Sequence, residues 1–218
     1  RTRAEAQTKA AQLQLLRYQL NPHFLFNTLN SLSALITAER ADDANSMLLK
    51  LSTFLRFALE RDDMALTSLR EELLAIELYL DIEKVRLSDR LSVELKVTEA
   101  AYRCSVPSLL LQPVVENAIK YAIARAETGG TISVAAECRG ETLTLLVDDT
   151  GPDEPAASGD GVRDADETEG VGIGLQNIRE RLMTLYGDQS EVSNEDSPLG
   201  GRRVRIVLPA VGHHERMS

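Results

Sequence analysis

The 218-residue sequence predicts an α+β protein: an N-terminal helical hairpin that pairs with a second copy into a four-helix bundle, followed by an α/β sandwich. Three observations predict it. Residues 1–88 hold no glycine and one proline, and their apolar residues recur every three and four positions, as on a helix. From Leu91 the apolar period drops to two. Strand-like and helix-like runs then interleave to the end, as they do when helices cover one face of a mixed sheet. The expected division is therefore 1–88 and 89–218.

In the first part, Leu13, Leu16, Leu20, Phe24, Asn27 and Ser31 follow helical steps straight through Pro22. This is one kinked helix, or two helices with Asn21 as N-cap and Pro22 as first residue of the second. Leu25, Leu29, Leu32 and Ile36 add a second apolar face, which needs a second partner. A polar break, AERADDANS, precedes another stripe, Leu48, Leu51, Leu55 and Ala58. So short a connection implies an antiparallel hairpin. Ser68 and Glu71 have capping-box spacing and open a third segment, with Leu69, Leu73, Ile76, Leu80 and Leu87 in phase. Periodicity alone allows a simple coiled-coil dimerisation stalk as well.

In the second part, LSVELKV, TISVAAE, ETLTLLVDD and RRVRIVLP alternate as strands do. SLLLQPVVENAIKYAIARA and IGLQNIRERLMTLYG read as helices. At 43% hydrophobic residues the chain is globular, and a net charge of −10 argues against nucleic acid or an acidic membrane as partner. Cys104 and Cys138 lack metal-type spacing with the histidines and read as reduced thiols packed as small hydrophobes. No apolar run approaches the roughly 18 residues of a membrane span. The sequence opens on a polar helical run without an initiating methionine and reads as a cytoplasmic fragment, so any membrane attachment is expected through a region upstream of it.

Three stretches carry chemistry. ENAIKYA sets Glu116, Asn117 and Lys120 on nearby turns of one helix. VDDTGPDEP ends a strand on acids and turns at Gly151 and Pro152. GVGIGLQNI sets Gly170, Gly172 and Gly174 directly before a helix, whose free amides suit a phosphate. Each alone is ordinary: a solvated polar stripe, a strand-end turn, a glycine-rich turn. Together and in this order they resemble the N, G1 and G2 boxes of the GHKL ATP-binding fold. With LNPHFLFNTLNSL upstream, the whole of residues 13–208 resembles the sensor histidine kinases of the LytS/YehU type.

The resemblance implies a homodimeric ATP-dependent histidine kinase that autophosphorylates His23 from Mg-ATP and passes the phosphoryl group to an aspartate on a response regulator receiver domain. It implies Glu116 and Asn117 as catalytic partners of His23, with Asn117 also ligating Mg2+ and Glu116 orienting the attacking group. Lys120, Tyr121, Asp149, Gly151, Gly172, Gly174 and Leu175 would join Asn117 in holding ATP, Asp149 at the adenine amino group and Lys120 at the phosphates. An imidazole suits the acceptor role because its neutral form offers a nucleophilic nitrogen near neutral pH. Two departures stand out: Phe24 follows His23 where many histidine kinases have an acid, and Asp153 replaces the second glycine of the G1 box. The segment DEPAASGDGVRDADETE, at the position of the family's ATP lid, is acidic with Arg163 its single base. These departures keep open a degenerate module that binds nucleotide and dimerises without catalysis. The bundle histidine speaks against a chaperone ATPase or serine kinase on the same fold.

Overall fold

A computed structural model describes residues 22–60, 65–124, 126–152 and 165–212. In chain order these form α1 (Pro22–Thr37), α2 (Ala41–Glu60), β1 (Leu66–Ser68), α3 (Leu69–Leu87), β2 (Leu91–Val97), β3 (Ser105–Pro107) and α4 (Gln112–Ala118). A π-helical turn, Ile119–Ile123, continues α4, and β4 (Gly130–Arg139), β5 (Thr142–Asp149), α5 (Ala165–Tyr186), β6 (Glu191–Asp196) and β7 (Arg202–Pro209) follow. The α+β class expected from the sequence is what these elements make. They fall into two compact units, one of Arg1–Arg61 with Leu78–Arg86 and one of Asp62–Glu77 with Leu87–Ser218. Helix α3 contributes to both.

The described residues of the first unit are helical. Its hairpin turns on Ala38–Arg40, tighter than the polar break suggests, because Ala41, Asp42 and Asp43 already lie in α2 with the acids in its first turn, where the helix dipole favours them. Phe24 packs on Phe54 and Tyr79 with ring centroids 5.4 and 4.9 Å away, and Phe54 and Tyr79 are 5.8 Å apart. This trio sets the helix phases. On α2 it buries Met47, Leu51, Phe54 and Ala58, and leaves Leu48, expected inside, 52% exposed. On α1 it buries Phe24, Thr28, Leu32 and Leu35, while Leu29 and Ile36 of the second apolar face are exposed. The described part of α1 begins at Pro22, so the expected kink lies outside the described residues.

The second unit is a five-stranded sheet in the order β2-β4-β5-β7-β6, with β2 and β4 parallel and the other pairs antiparallel. All four strands read from the sequence are present; β6 and the two three-residue strands β1 and β3 are additional. β1 and β3 pair antiparallel, Leu66 opposite Pro107 and Ser68 opposite Ser105, which brings the start of α3 beside the start of α4. The capping box forms as expected: Glu71 N donates to Ser68 Oγ at 3.3 Å and Ser68 N to Glu71 Oε2 at 3.4 Å. Every residue of the expected α3 stripe is buried. Cys104 is buried and its thiol is pushed up to about 12 by burial and by its hydrogen bond with Cys138, so it is inert near neutral pH.

Removing the ring of Phe54, 1% exposed, leaves a cavity between three helices. Phe54→Ala is expected to destabilise the helical unit by about 3–5 kcal/mol. Thermal melting followed by helical circular dichroism measures it, and an unchanged melt would contradict the trio's role.

Candidate nucleotide site

The site grows from α4. Its preceding turn, Ser108–Leu111, contains Leu109 at φ 58, a left-handed setting that a leucine adopts only when its surroundings hold it there. Glu72 of α3 provides the hold. It is 1% exposed, and its carboxylate accepts the amides of Leu109 and Leu111, each at 2.9 Å. The long predicted helix therefore starts at Gln112, because the four residues before it are bent around this carboxylate. At the other end Arg90 donates from its guanidinium to the carbonyls of Ala124 and Ala126.

On α4, Glu116 and Asn117 are half-buried. Gln112 Nε2 donates to Glu116 Oε1 at 2.7 Å, a helical i, i+4 contact that fixes the carboxylate. Lys120 falls in the π-helical turn, is exposed, and donates to the Tyr121 hydroxyl at 2.8 Å while lying 4.6 Å from its ring centroid. π-helical turns are concentrated at functional positions, since the wider turn redirects side chains. Across from α4, Gly174 of α5 lies so near Asn117 that an added Cβ would stand 3.4 Å from its Nδ2. Leu175 is buried next to it.

Asp149 ends β5 and is 9% exposed. Among the described residues its hydrogen bonds fall on Oδ1, from Gly151 N at 2.8 Å and Arg202 N at 3.1 Å. Burial raises its pKa, against the amides of Arg202 and Gly151 and the Arg202 charge, with the neighbouring Asp148 raising it further. Gly151 has φ 71 and a Cβ there would come 3.0 Å from Gly201 Cα, so two chain segments meet too closely for side chains. The Asp149 end reaches the helix at Gly130, where a Cβ would fall 2.2 Å from Thr150 Oγ1 and 2.8 Å from Ile123 Cδ1.

One expectation is corrected. Gly170, Gly172 and Gly174 lie inside α5 rather than ahead of it, since the helix begins at Ala165. The helix-forming run Ala165–Glu169 extends it backward through the glycines, each of which costs about 1 kcal/mol relative to alanine. Residues 153–164, with Asp153, Arg163 and most of the expected lid, lie outside the described residues. A groove of about 620 Å3 beside Arg179, Met183 and Val192 includes none of these site residues.

In the helical unit His23 is exposed on the first turn of α1, with Asn27 Nδ2 3.2 Å from its Nδ1 and 3.3 Å from its Nε2. Asn27 falls by spacing in the apolar stripe of α1. Its i, i+4 spacing from His23 was the signal available in the sequence.

The sheet order, an asparagine-bearing helix over it, and an aspartate at a central strand's end define an ATPase-type domain. Residues 107–212 match the histidine kinase-, DNA gyrase B- and HSP90-like ATPase family, and residues 11–91 match the histidine kinase family. Sensor protein LytS of Staphylococcus haemolyticus (strain JCSC1435) is 34% identical over 90% of this chain and 34% of its own length. Sensor histidine kinase YpdA of Escherichia coli (strain K12) is 37% identical over 82% of this chain and 31% of its own. The catalytic domain of histidine kinase ThkA, a solved structure, is 16% identical over 67% of this chain and 95% of its own, with a TM-score of 0.49. The chain belongs to the LytS-type sensor histidine kinases, and it spans about a third of the length of the curated relatives it matches. No helix among the described residues is long and apolar enough to cross a membrane.

Burial is the largest influence on Glu72: it pushes the carboxyl from 4.5 up to about 7, against the amides of Leu111 and Leu109, the Arg181 guanidinium and the amide of Leu110. The folded chain therefore holds this proton more tightly than the unfolded chain. The resulting stability is complete below about pH 4.5 and is lost as the pH rises through about 7. The stability of the native protein relative to Glu72→Gln is expected to fall across that window, by no more than roughly 3 kcal/mol. Urea titrations of both proteins at a series of pH values measure it; a difference independent of pH would refute it.

Proposed function

We propose that this chain is the phosphotransfer and catalytic core of a two-component sensor: it autophosphorylates His23 from Mg-ATP and passes the phosphoryl group to a receiver-domain aspartate of a response regulator. The observation that carries the reading is the meeting of Asn117 on α4 with Gly174 on α5, which joins the N and G2 boxes. In phosphoryl transfer, positioning and charge neutralisation supply most of the catalysis.

The geometry is consistent with the roles that the family resemblance implies. Asn117 turns its nitrogen toward Gly174 and offers its oxygen, the donor type that a hard cation takes. Mg2+ bound there would neutralise and orient the triphosphate. Glu116, held by Gln112, orients the attacking group, and exposed Lys120 meets phosphate charge. Asp149 spends Oδ1 on the backbone and presents Oδ2 to the adenine amino group. Gly151 gives the base access to the backbone, Leu175 is an apolar wall, Tyr121 steadies Lys120, and Gly172 lets phosphate approach α5. Attack by the unprotonated ring nitrogen of His23 forms a bond to the γ-phosphorus as the bond to the ADP oxygen breaks, and the proton on the ring's other nitrogen passes to water. Asn27 is the group beside the ring: its carboxamide lies 3.2 and 3.3 Å from the two ring nitrogens and orients the imidazole on the first turn of α1. It takes the orienting part of the role of the acid absent at Phe24, which is buried in the aromatic trio, but not that acid's part as a base.

A second copy of the chain is the fitting partner for the exposed apolar residues Leu29 and Ile36 of α1 and Leu48 and Leu59 of α2. Their cover would complete the four-helix bundle. The wider sensor is proposed to attach to a membrane through sequence outside this chain, leaving these residues in the cytoplasm.

Incubation with γ-labelled ATP is expected to give acid-labile, alkali-stable label that vanishes in His23→Gln. Acid-stable label would favour a serine kinase on the same fold, and no label from a dimer that binds ATP would favour the degenerate module. Gly174→Ala should stabilise α5 by up to about 1 kcal/mol, yet crowd Asn117 and weaken ATP binding. Calorimetry beside a thermal melt reads both, and tighter binding with the higher melt would contradict the assigned site.

A further inference from the structure

The function above leaves Glu72 unused, although it is a fully buried acid on a helix outside the nucleotide motifs. Three features converge on it. It accepts two backbone amides at 2.9 Å from a segment 37 and 39 residues away. One of those amides belongs to Leu109, at φ 58. The turn so held leads directly into α4, where Glu116 and Asn117 sit one turn further on. The β1-β3 pairing fixes the start of α3 beside the strand that leads into this turn, with Ser68 opposite Ser105 and Leu66 opposite Pro107.

We propose that Glu72 is a positioning residue for the nucleotide site: through the amides of Leu109 and Leu111 its carboxylate fixes the start of α4, and with it the angular setting of Glu116 and Asn117. This rests on the nucleotide-binding reading of that helix face. The physical argument is one of alternatives. Without an acceptor, two amides would be stranded in a buried turn, and Leu109 would relax out of its left-handed setting. A turn that relaxes rotates the residues that follow it, and a small misplacement of ligating groups weakens binding strongly.

Charge makes the hold conditional. The ionised carboxylate grips both amides with charge-assisted bonds and faces the Arg181 guanidinium of α5, while the protonated form grips weakly. The carboxyl titrates at about 7, so the site is expected to loosen as the pH falls through neutrality, even as the fold gains stability by shedding a buried charge. Local order and global stability thus respond to this proton in opposite directions.

The test uses a non-hydrolysable ATP analogue with Mg2+, which keeps His23 chemistry out of the measurement. Native affinity, compared with Glu72→Gln, should show an extra fall on the acid side of about pH 7, and the variant at pH 8 should bind about 10-fold more weakly, the scale of a lost charge-assisted hydrogen bond. The titration of the analogue's own γ-phosphate is common to both proteins and cancels. Arg181→Gln removes the facing positive charge and should move the acid fall to higher pH; a fall that does not move overturns the proposal, also where Glu72→Gln does not fold. Hydrogen exchange gives a readout that needs no ligand: the amides of Leu109 and Leu111 should exchange about 10-fold faster in Glu72→Gln. Unchanged exchange there overturns the proposal whether or not ATP binds. Failure of the native protein to bind the analogue, with the exchange result as expected, overturns the nucleotide reading instead.

Discussion

The helix bearing Glu116 and Asn117 is held at both ends by side-chain charge of the appropriate sign, buried Glu72 at its start and exposed Arg90 at its end. Helices leave amides unsatisfied at their start and carbonyls at their end, with partial positive and negative charge to match. Here the carboxylate of Glu72 accepts the N-cap amide of Leu111 and the amide of Leu109 ahead of it, and the guanidinium of Arg90 donates to the carbonyls of Ala124 and Ala126 just past the far end. Both come from α3 and the turn just after it, so a single stretch of chain brackets the helix that carries the site. Within that bracket Asn117 lies beside Gly174, and Ile123 lies beside Gly130, next to Thr150 just past the end of β5.

The strand-end acids divide their work in a way that alternation in a β-strand makes possible. Asp148 is consumed by structure: Arg203 donates to both of its oxygens, at 2.8 and 3.0 Å, and Ser197 Oγ adds a third bond at 2.9 Å. Asp149, pointing the other way, holds the Gly151 turn with one oxygen. Two neighbouring carboxylates with such different surroundings are tied together by charge, since Asp148 raises the pKa of Asp149. The ion pair with Arg203 relieves part of that repulsion.

What the sequence disclosed was whatever depends on near neighbours. The Ser68–Glu71 cap, the α3 stripe and the four alternating strands are local patterns, and each is present. The phase of α2 was not legible, because Met47, Leu48, Leu49 and Leu51 are all apolar and a wheel cannot choose among them; the aromatic trio chose Met47 and Leu51. Strands as short as β1 and β3 have no period to detect. Glu72 looked like one more acid in a helical first turn, since the amides it serves lie far along the chain. Among the site residues, the positions of Glu116, Asn117 and Asp149 were legible from their motifs, whereas the placement of the glycines inside α5 was not, because helix-forming residues precede them.

The π-helical turn at Ile119–Ile123 carries a consequence of its own. A wider turn is equivalent to one residue inserted into an otherwise regular spiral, and every position in an α-helix is about 100° from the next. Shortening this stretch by a single residue would therefore remove the insertion and restore the regular spiral: residues beyond the turn would keep their bearings, while Lys120 and Tyr121 inside it would lose theirs. In this part of the chain, length variation is as consequential as substitution.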